Sequence, residues 1–257
     1  MADSDPNDKI LQFSTIGSLM SGVHDGEFNT TDCLGPVYNF GLGCSDKVNA
    51  EVIIYDGVAY TGTAKEEVGV LDRADLSPFI QVMHFHTEGA MTAVGQPHHY
   101  YVLTEGESLT EENFHAFAQR YVRSENVFFG VCVKAVFPSV TVRRPQRIAK
   151  EESRTMLELA AQQQVDTYTD QEGVIVGLYT PEVFGRLSVP GFHFHFITAD
   201  RREGGHVLKF QIDKETKAEV RLEEKRRIEV VLPTSDDFRQ GKVDLQLLDG
   251  VIHKVEK

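Results

Sequence analysis

Short runs of β-branched and aromatic residues, punctuated by Gly, Asp and Pro, dominate the apolar pattern of this chain, and helical spacing fits only three stretches. The first helix is predicted over 14–21, with Ser14 or Thr15 as its cap and Gly22 as its stop. The second runs from Leu109 to Val122: Ser108 stands at its start, and Leu109, Phe114, Phe117 and Tyr121 fall roughly on one side. The third runs from Glu151 to Gln164 and opens on acidic residues, as the helix dipole prefers. Strands are predicted over Glu51 to Tyr55 and Val58 to Tyr60, joined by Asp56-Gly57, a pair that supplies the positive φ angles of a tight hairpin turn. Further strands fit Phe79 to His86, Tyr100 to Leu103, Val127 to Val142 with Pro138 as a break, Val174 to Tyr179, Phe192 to Thr198, His206 to Ile212, Glu219 to Glu223 and Ile228 to Leu232. Few connections between them could hold a crossover helix, so most pairing is expected to be antiparallel.

The class implied is α+β: two β-rich subdomains of mainly antiparallel sheet with a few flanking helices, and a metal site in the cleft. The boundary is expected near 145–150, where Arg143-Arg144-Pro145-Gln146-Arg147 ends one β region, which gives an N-terminal subdomain 1–148 and a C-terminal one 149–257. Residues 1–8 read as a disordered lead. The charged run Lys214 to Arg227 reads as a solvated hairpin.

The segment Gly191-Phe192-His193-Phe194-His195-Phe196 carries the most specific chemistry. Side chains alternate across a strand, so the three phenylalanines share one face and His193 and His195 the other. A turn through Gly204-Gly205 leads to His206, which a hairpin would return beside His195. Three converging imidazoles with open positions describe a catalytic rather than a structural metal site, and the glycines suit a close return of backbone. His84, His86 and Glu88, followed by His98-His99, form a second cluster that reads either as another metal site or as a polar strand end. His24, His115 and His253 stand alone.

Composition narrows the setting. The 257 residues are 41% hydrophobic and 25% charged, which is globular composition, and the net charge of −13 argues against nucleic acid as a partner. Cys33, Cys44 and Cys132 lack the spacing of a disulfide framework or a thiolate zinc site. The acidic N-terminus lacks the pattern of a signal peptide, and no apolar stretch approaches the roughly 20 residues that cross a bilayer. A cytoplasmic protein is the expectation, with neither a membrane nor a nucleic-acid partner.

With the His193-Phe194-His195 and Gly204-Gly205-His206-Val207-Leu208 motifs in place, the chain resembles the α-acetolactate decarboxylase family. Val189-Pro190-Gly191, Asp200-Arg201-Arg202, Leu19-Met20-Ser21-Gly22 with Asp25-Gly26, the Glu51 to Tyr60 hairpin and Gly173 to Pro181 fit the same pattern. The resemblance implies zinc on His193, His195 and His206, active-site glutamates at Glu51 and Glu256, a substrate-binding arginine at Arg143 with Arg144 as its rival, and a homodimer. The implied reaction turns 2-acetolactate, a small-molecule substrate, into acetoin and CO2: the metal stabilises an enediolate, which a protonated glutamate then quenches. The 84–100 region and the helix near 109–122 depart from the common bacterial pattern. Two other readings remain: a cupin-like metal enzyme, for which the expected glutamate after His195 is late, and a non-catalytic metal- or ligand-binding module.

Overall fold

The computed structural model describes residues 8–72, 75–87, 99–104, 106–149, 152, 154–242 and 245–256, without the side chains of 245–247 and 256. The expected lead 1–8 lies almost wholly outside these residues, as do Glu88 and His98. In chain order the elements are β1 (Lys9–Phe13), α1 (Ile16–Met20), β2 (Phe28–Asn29), α2 (Thr30–Leu34), β3 (Phe40–Cys44), β4 (Glu51–Tyr55), β5 (Val58–Gly62), β6 (Gly69–Val70), β7 (Leu76–Ser77), β8 (Phe79–Met83), β9 (His99–Thr104) and β10 (Leu109–Thr110). They continue as α3 (Glu111–Val122), β11 (Phe128–Arg144), α4 (Met156–Ala161), β12 (Gln164–Thr180), β13 (Gly191–Thr198), β14 (Gly204–Ile212), β15 (Ala218–Lys225), β16 (Arg227–Val231), α5 (Asp236–Gln240) and α6 (Leu245–Glu256).

Two seven-stranded sheets carry the α+β fold. The first has the order β16-β1-β8-β3-β4-β5-β6, and the second β10-β14-β13-β12-β11-β15-β9. Only β1 with β16 pairs in parallel among the described residues, in keeping with the expected antiparallel majority. Because β14 also pairs with β11, strands β11 to β14 close on themselves. β11 and β12, on either side of residues 145–150, pair from Phe129↔Tyr179 to Arg144↔Gln164.

Strand alternation builds two cores at once. Val174, Val176 and Leu178 of β12 join Phe40, Leu42, Ile53 and Ile197 between the two sheets. Ile175 and Tyr179 join Phe194, Phe196, Phe210 and the α3 residues Phe114 and Phe117 on the other side of the second sheet. The phenylalanines of β13 are thus a core face, and His193, His195 and Ile197 look toward the first sheet. A third cluster packs α1, α4 and α6 together through Ile16, Leu19, Met156, Leu159, Leu248, Ile252 and Val255. No helix of the described residues is long and apolar enough to cross a membrane.

Several elements differ from the pattern reading. Leu109 and Thr110 pair with β14, so the helix there begins at Glu111; Thr110 caps it through a capping box with Asn113. The third helix shrinks to 156–161, capped by Thr155 with Glu158, because Gln164 already pairs in β12. Pro138 does not break its strand. On one side β11 pairs with β15 up to Lys134 and with β14 only from Ser139, and the ladder with β12 skips Pro138 and resumes at Ser139↔Thr169. The charged run is not a solvated hairpin: Arg221, Glu223, Glu224 and Lys225 are all buried in β15. Burial alone would raise the Glu223 carboxyl pKa, but hydrogen bonds from His86 and the Lys225 charge outweigh it and hold it down at about 2.

Asp56 and Gly57 adopt the positive φ of the predicted turn. Gly205 is fixed by crowding instead. A Cβ there would sit 2.6 Å from the Arg143 carbonyl oxygen and 2.9 Å from Arg144 Cγ. Gly205→Ala is therefore expected to separate β14 from β11 and to destabilise the fold by about 2 kcal/mol, measured by urea unfolding; an unchanged midpoint would contradict this account of the strand pair.

Candidate metal centre

The pairing register assembles the site. His195 lies opposite His206, and His206 in turn lies opposite Arg143, so one row across β13, β14 and β11 carries all three. His193 sits two residues from His195 on the same face. The ligand atoms of His193, His195 and His206 all lie within 4.8 Å of one another, and all three residues are buried.

Hydrogen bonding orients the rings. His195 Nδ1 is 2.9 Å from the Val52 carbonyl oxygen, which can only accept. The Nδ1 therefore carries the proton, and Nε2 turns its lone pair to the centre. Full burial, helped by the nearby Arg143 charge and opposed by the Val52 bond, pushes the His195 pKa down to about 3, so the ring is neutral at pH 7. His193 Nε2 lies 3.2 Å from His195 Nε2 and 3.2 Å from His206 Nδ1. Arg143 places an amino group 3.1 Å from His206 Nε2.

No placement of protons on three neutral rings serves these contacts together. The bond to His195 Nε2 needs a proton on His193 Nε2, which makes His206 Nδ1 an acceptor. His206 Nε2 must then carry a proton against a guanidinium that can only donate. A cation drawing on His193 Nε2, His195 Nε2 and His206 Nδ1 serves both nitrogen pairs without such protons. Their separations match the ~3.3 Å that Zn–N bonds of ~2.0–2.1 Å impose at a tetrahedral angle. The donor set fits a divalent transition metal.

Glu51, at the start of β4, brings Oε2 to 3.5 Å from His195 Nε2 and is buried. Glu51, Arg143, His193 and His206 line one small cavity together with Cys44, Phe79, Met156, Gln163 and Val255. Arg143 and Arg144 point to opposite faces of β11. Arg144 is held by Asp166 at 2.6 Å and by Glu203 at 3.0 Å, away from the histidines. Val255 brings the end of α6 to the cavity wall. Glu256 is the last residue of that helix, and its side chain lies outside the described residues.

A sequence model described as alpha-acetolactate decarboxylase matches residues 10–245. The chain belongs to the alpha-acetolactate decarboxylase family. The Bacillus licheniformis alpha-acetolactate decarboxylase is 29% identical over 97% of this chain and 92% of its own. The Methanosarcina mazei protein of that name is 30% identical over 98% and 81%. The crystal structure of acetolactate decarboxylase from Bacillus subtilis subspecies spizizenii superposes with a TM-score of 0.85 at 27% identity, covering 96% of this chain and 100% of that one. Membership makes this chain an enzyme, a decarboxylase, and the cupin-like and binding-module readings give way to it.

Sequence reasoning did not reach the Val52 carbonyl, whose role is carried by backbone and leaves no side-chain signal, or Gln163 and Met156 on the cavity wall. Of the isolated histidines, His24 is a satisfied core residue, 3.0 Å from the Leu19 carbonyl oxygen. His115 stacks on Tyr179.

The neutral His195 makes the metal-free fold acid-sensitive. Between its folded pKa of about 3 and the ordinary value of 6.5, the unfolded chain binds a proton that the folded chain does not. Stability of the chelated protein is expected to fall as pH drops from 6.5 toward 3, and to fall less steeply in His195→Gln; equal slopes in urea unfolding would refute the assignment.

Proposed function

We propose that this enzyme converts 2-acetolactate to acetoin and CO2 at the three-histidine centre, with zinc on His193, His195 and His206. The observation that carries the reading is a buried three-imidazole group, two of whose rings line one small cavity with the Arg143 guanidinium and the Glu51 carboxyl, in a chain of this family. When bound there, the cation supplies Lewis acidity to the ketone and hydroxyl oxygens of the substrate.

Arg143 is the group for the substrate carboxylate, since its planar fork matches a carboxylate and it lines the cavity beside His193 and His206. Breaking the bond from C2 to the carboxylate releases CO2 and sends the electron pair toward the C3 oxygen. The resulting enediolate then needs one proton at C2. Glu51 stands beside His195 and faces the cavity, in position to hold and deliver that proton. Glu256 is a second candidate, supported by the docking of α6 through Val255.

The cavity measures about 30 Å³, room for about two water molecules. A five-carbon keto acid needs more, so residues around it must give way. Ile16 and Leu19 on α1, Met156 on the short α4 and Val255 near the end of α6 are wall residues held by helices rather than by sheet pairing. Burial of Cys33, Cys44 and Cys132 as free thiols fits the expected cytoplasmic setting. The homodimer rests on the family resemblance, and size-exclusion chromatography with light scattering tests it.

Purified protein is expected to release acetoin from racemic 2-acetolactate, to lose that activity with a chelator and to regain it with zinc. No acetoin from folded, zinc-loaded protein would overturn the reading. His195→Ala should abolish zinc binding and turnover together. Arg143→Ala should lower kcat/KM by about 100-fold or more with zinc still bound. Arg144→Ala should instead cost about 2 kcal/mol of stability by stripping Asp166 and Glu203 of their partner. Exchanged outcomes for the two arginines would reverse their roles.

A further inference from the structure

A second group of metal-binding side chains lies apart from the three-histidine centre. Ligand atoms of His86, His99 and Glu223 all lie within 4.8 Å of one another. They come from three places in the fold. His86 follows β8 of the first sheet, His99 opens β9 on the edge of the second sheet, and Glu223 sits on β15 opposite His99.

The carboxylate of Glu223 divides its two oxygens. Oε2 is 3.2 Å from the Lys225 ammonium, which also donates to the His84 carbonyl oxygen at 2.8 Å. Oε1 accepts the His86 backbone N–H at 2.7 Å and lies 3.0 Å from His86 Nδ1. Lys225 thus engages one oxygen and leaves the other turned toward the imidazoles. A plain hydrogen bond from His86 to Glu223 needs only one ring. It gives no reason for His99 to close the triangle, with its ring 5.3 Å from that of His86 between centroids.

We propose that His86, His99 and Glu223 form a second divalent transition-metal site. Two imidazoles and a carboxylate are a donor set for zinc, nickel, cobalt or copper; magnesium and calcium call for all-oxygen ligands. The His86 side chain is 50% exposed, so the remaining coordination positions open to solvent rather than to a substrate cavity. An ion there would tie the exit of β8 to β9 and β15, joining the two sheets and pinning both ends of the segment 87–98. Its role is that of a structural clip, which stabilises by holding together parts of the chain distant in sequence. The adjacent Lys225 charge makes this site the weaker of the two.

The test uses untagged protein loaded to one zinc per chain, then titrated with nickel by calorimetry. One further ion per chain is expected, with a rise in Tm on its binding. His86→Ala and His99→Ala should each lose the second ion and the Tm rise while keeping the first zinc and acetoin release. A wild-type chain that takes no second ion overturns the proposal, as does a His99→Ala variant that still binds it. Should the variants misfold, copper added as the second equivalent to wild type decides. A paramagnetic resonance spectrum with coupling to two nitrogens supports the site, and an all-oxygen signature overturns it. Both readouts follow the second ion, so they stand or fall separately from the decarboxylase reading.

Discussion

The three-histidine centre depends on the register of one strand. β14 lies between β13 and β11, and its backbone ladder sets His206 opposite His195 on one side and Arg143 on the other. A slip of one residue would turn His206 to the other face and dismantle the row. Two glycines permit the approach. Gly205 lets β14 reach the Arg143 backbone, and a Cβ on Gly204 would meet the Phe196 carbonyl oxygen at 2.6 Å. The bulge between Thr141 and Val142 adjusts the far end of the same pairing.

The space between the sheets then decides the chemistry. Its lining is largely apolar and its cavity small, so the polar groups it holds are answered chiefly by protein partners or by a cation. His195 meets this demand by staying neutral and bonding to Val52. The converging imidazoles meet it only in part through protons, which is why the same cleft that packs the sheets suits a metal. Arg144 shows the opposite solution: two carboxylates hold it in place, away from the histidines.

The roof of the cavity is built differently from its floor. Floor residues Glu51, Arg143, His193 and His206 come from paired strands. Roof residues Ile16, Leu19, Met156 and Val255 come from α1, α4 and α6, which pack together in one apolar cluster. The buried charges of β15 hold together a different corner, where the sheets meet away from the centre.

The sequence by itself determined what short-range rules govern. Alternation along β13 separated the phenylalanines from His193 and His195, the Asp56-Gly57 pair marked its turn, and the Gly204-Gly205 pair marked a close strand return. These are properties of neighbours within a few residues. Tertiary structure alone decided the matters that join distant segments. Arg143 and Arg144 are adjacent in sequence and equal in chemistry, and only the pairing of β11 with β12 and β14 separates a cavity residue from an ion-paired one. The run Lys214 to Arg227 looked solvated because charge density is a local signal, while its burial follows from β9 and β11 flanking β15. Glu223 joins His86 across 137 residues of chain. No pattern in the sequence announces such a meeting, because it is fixed by the order of strands in a sheet.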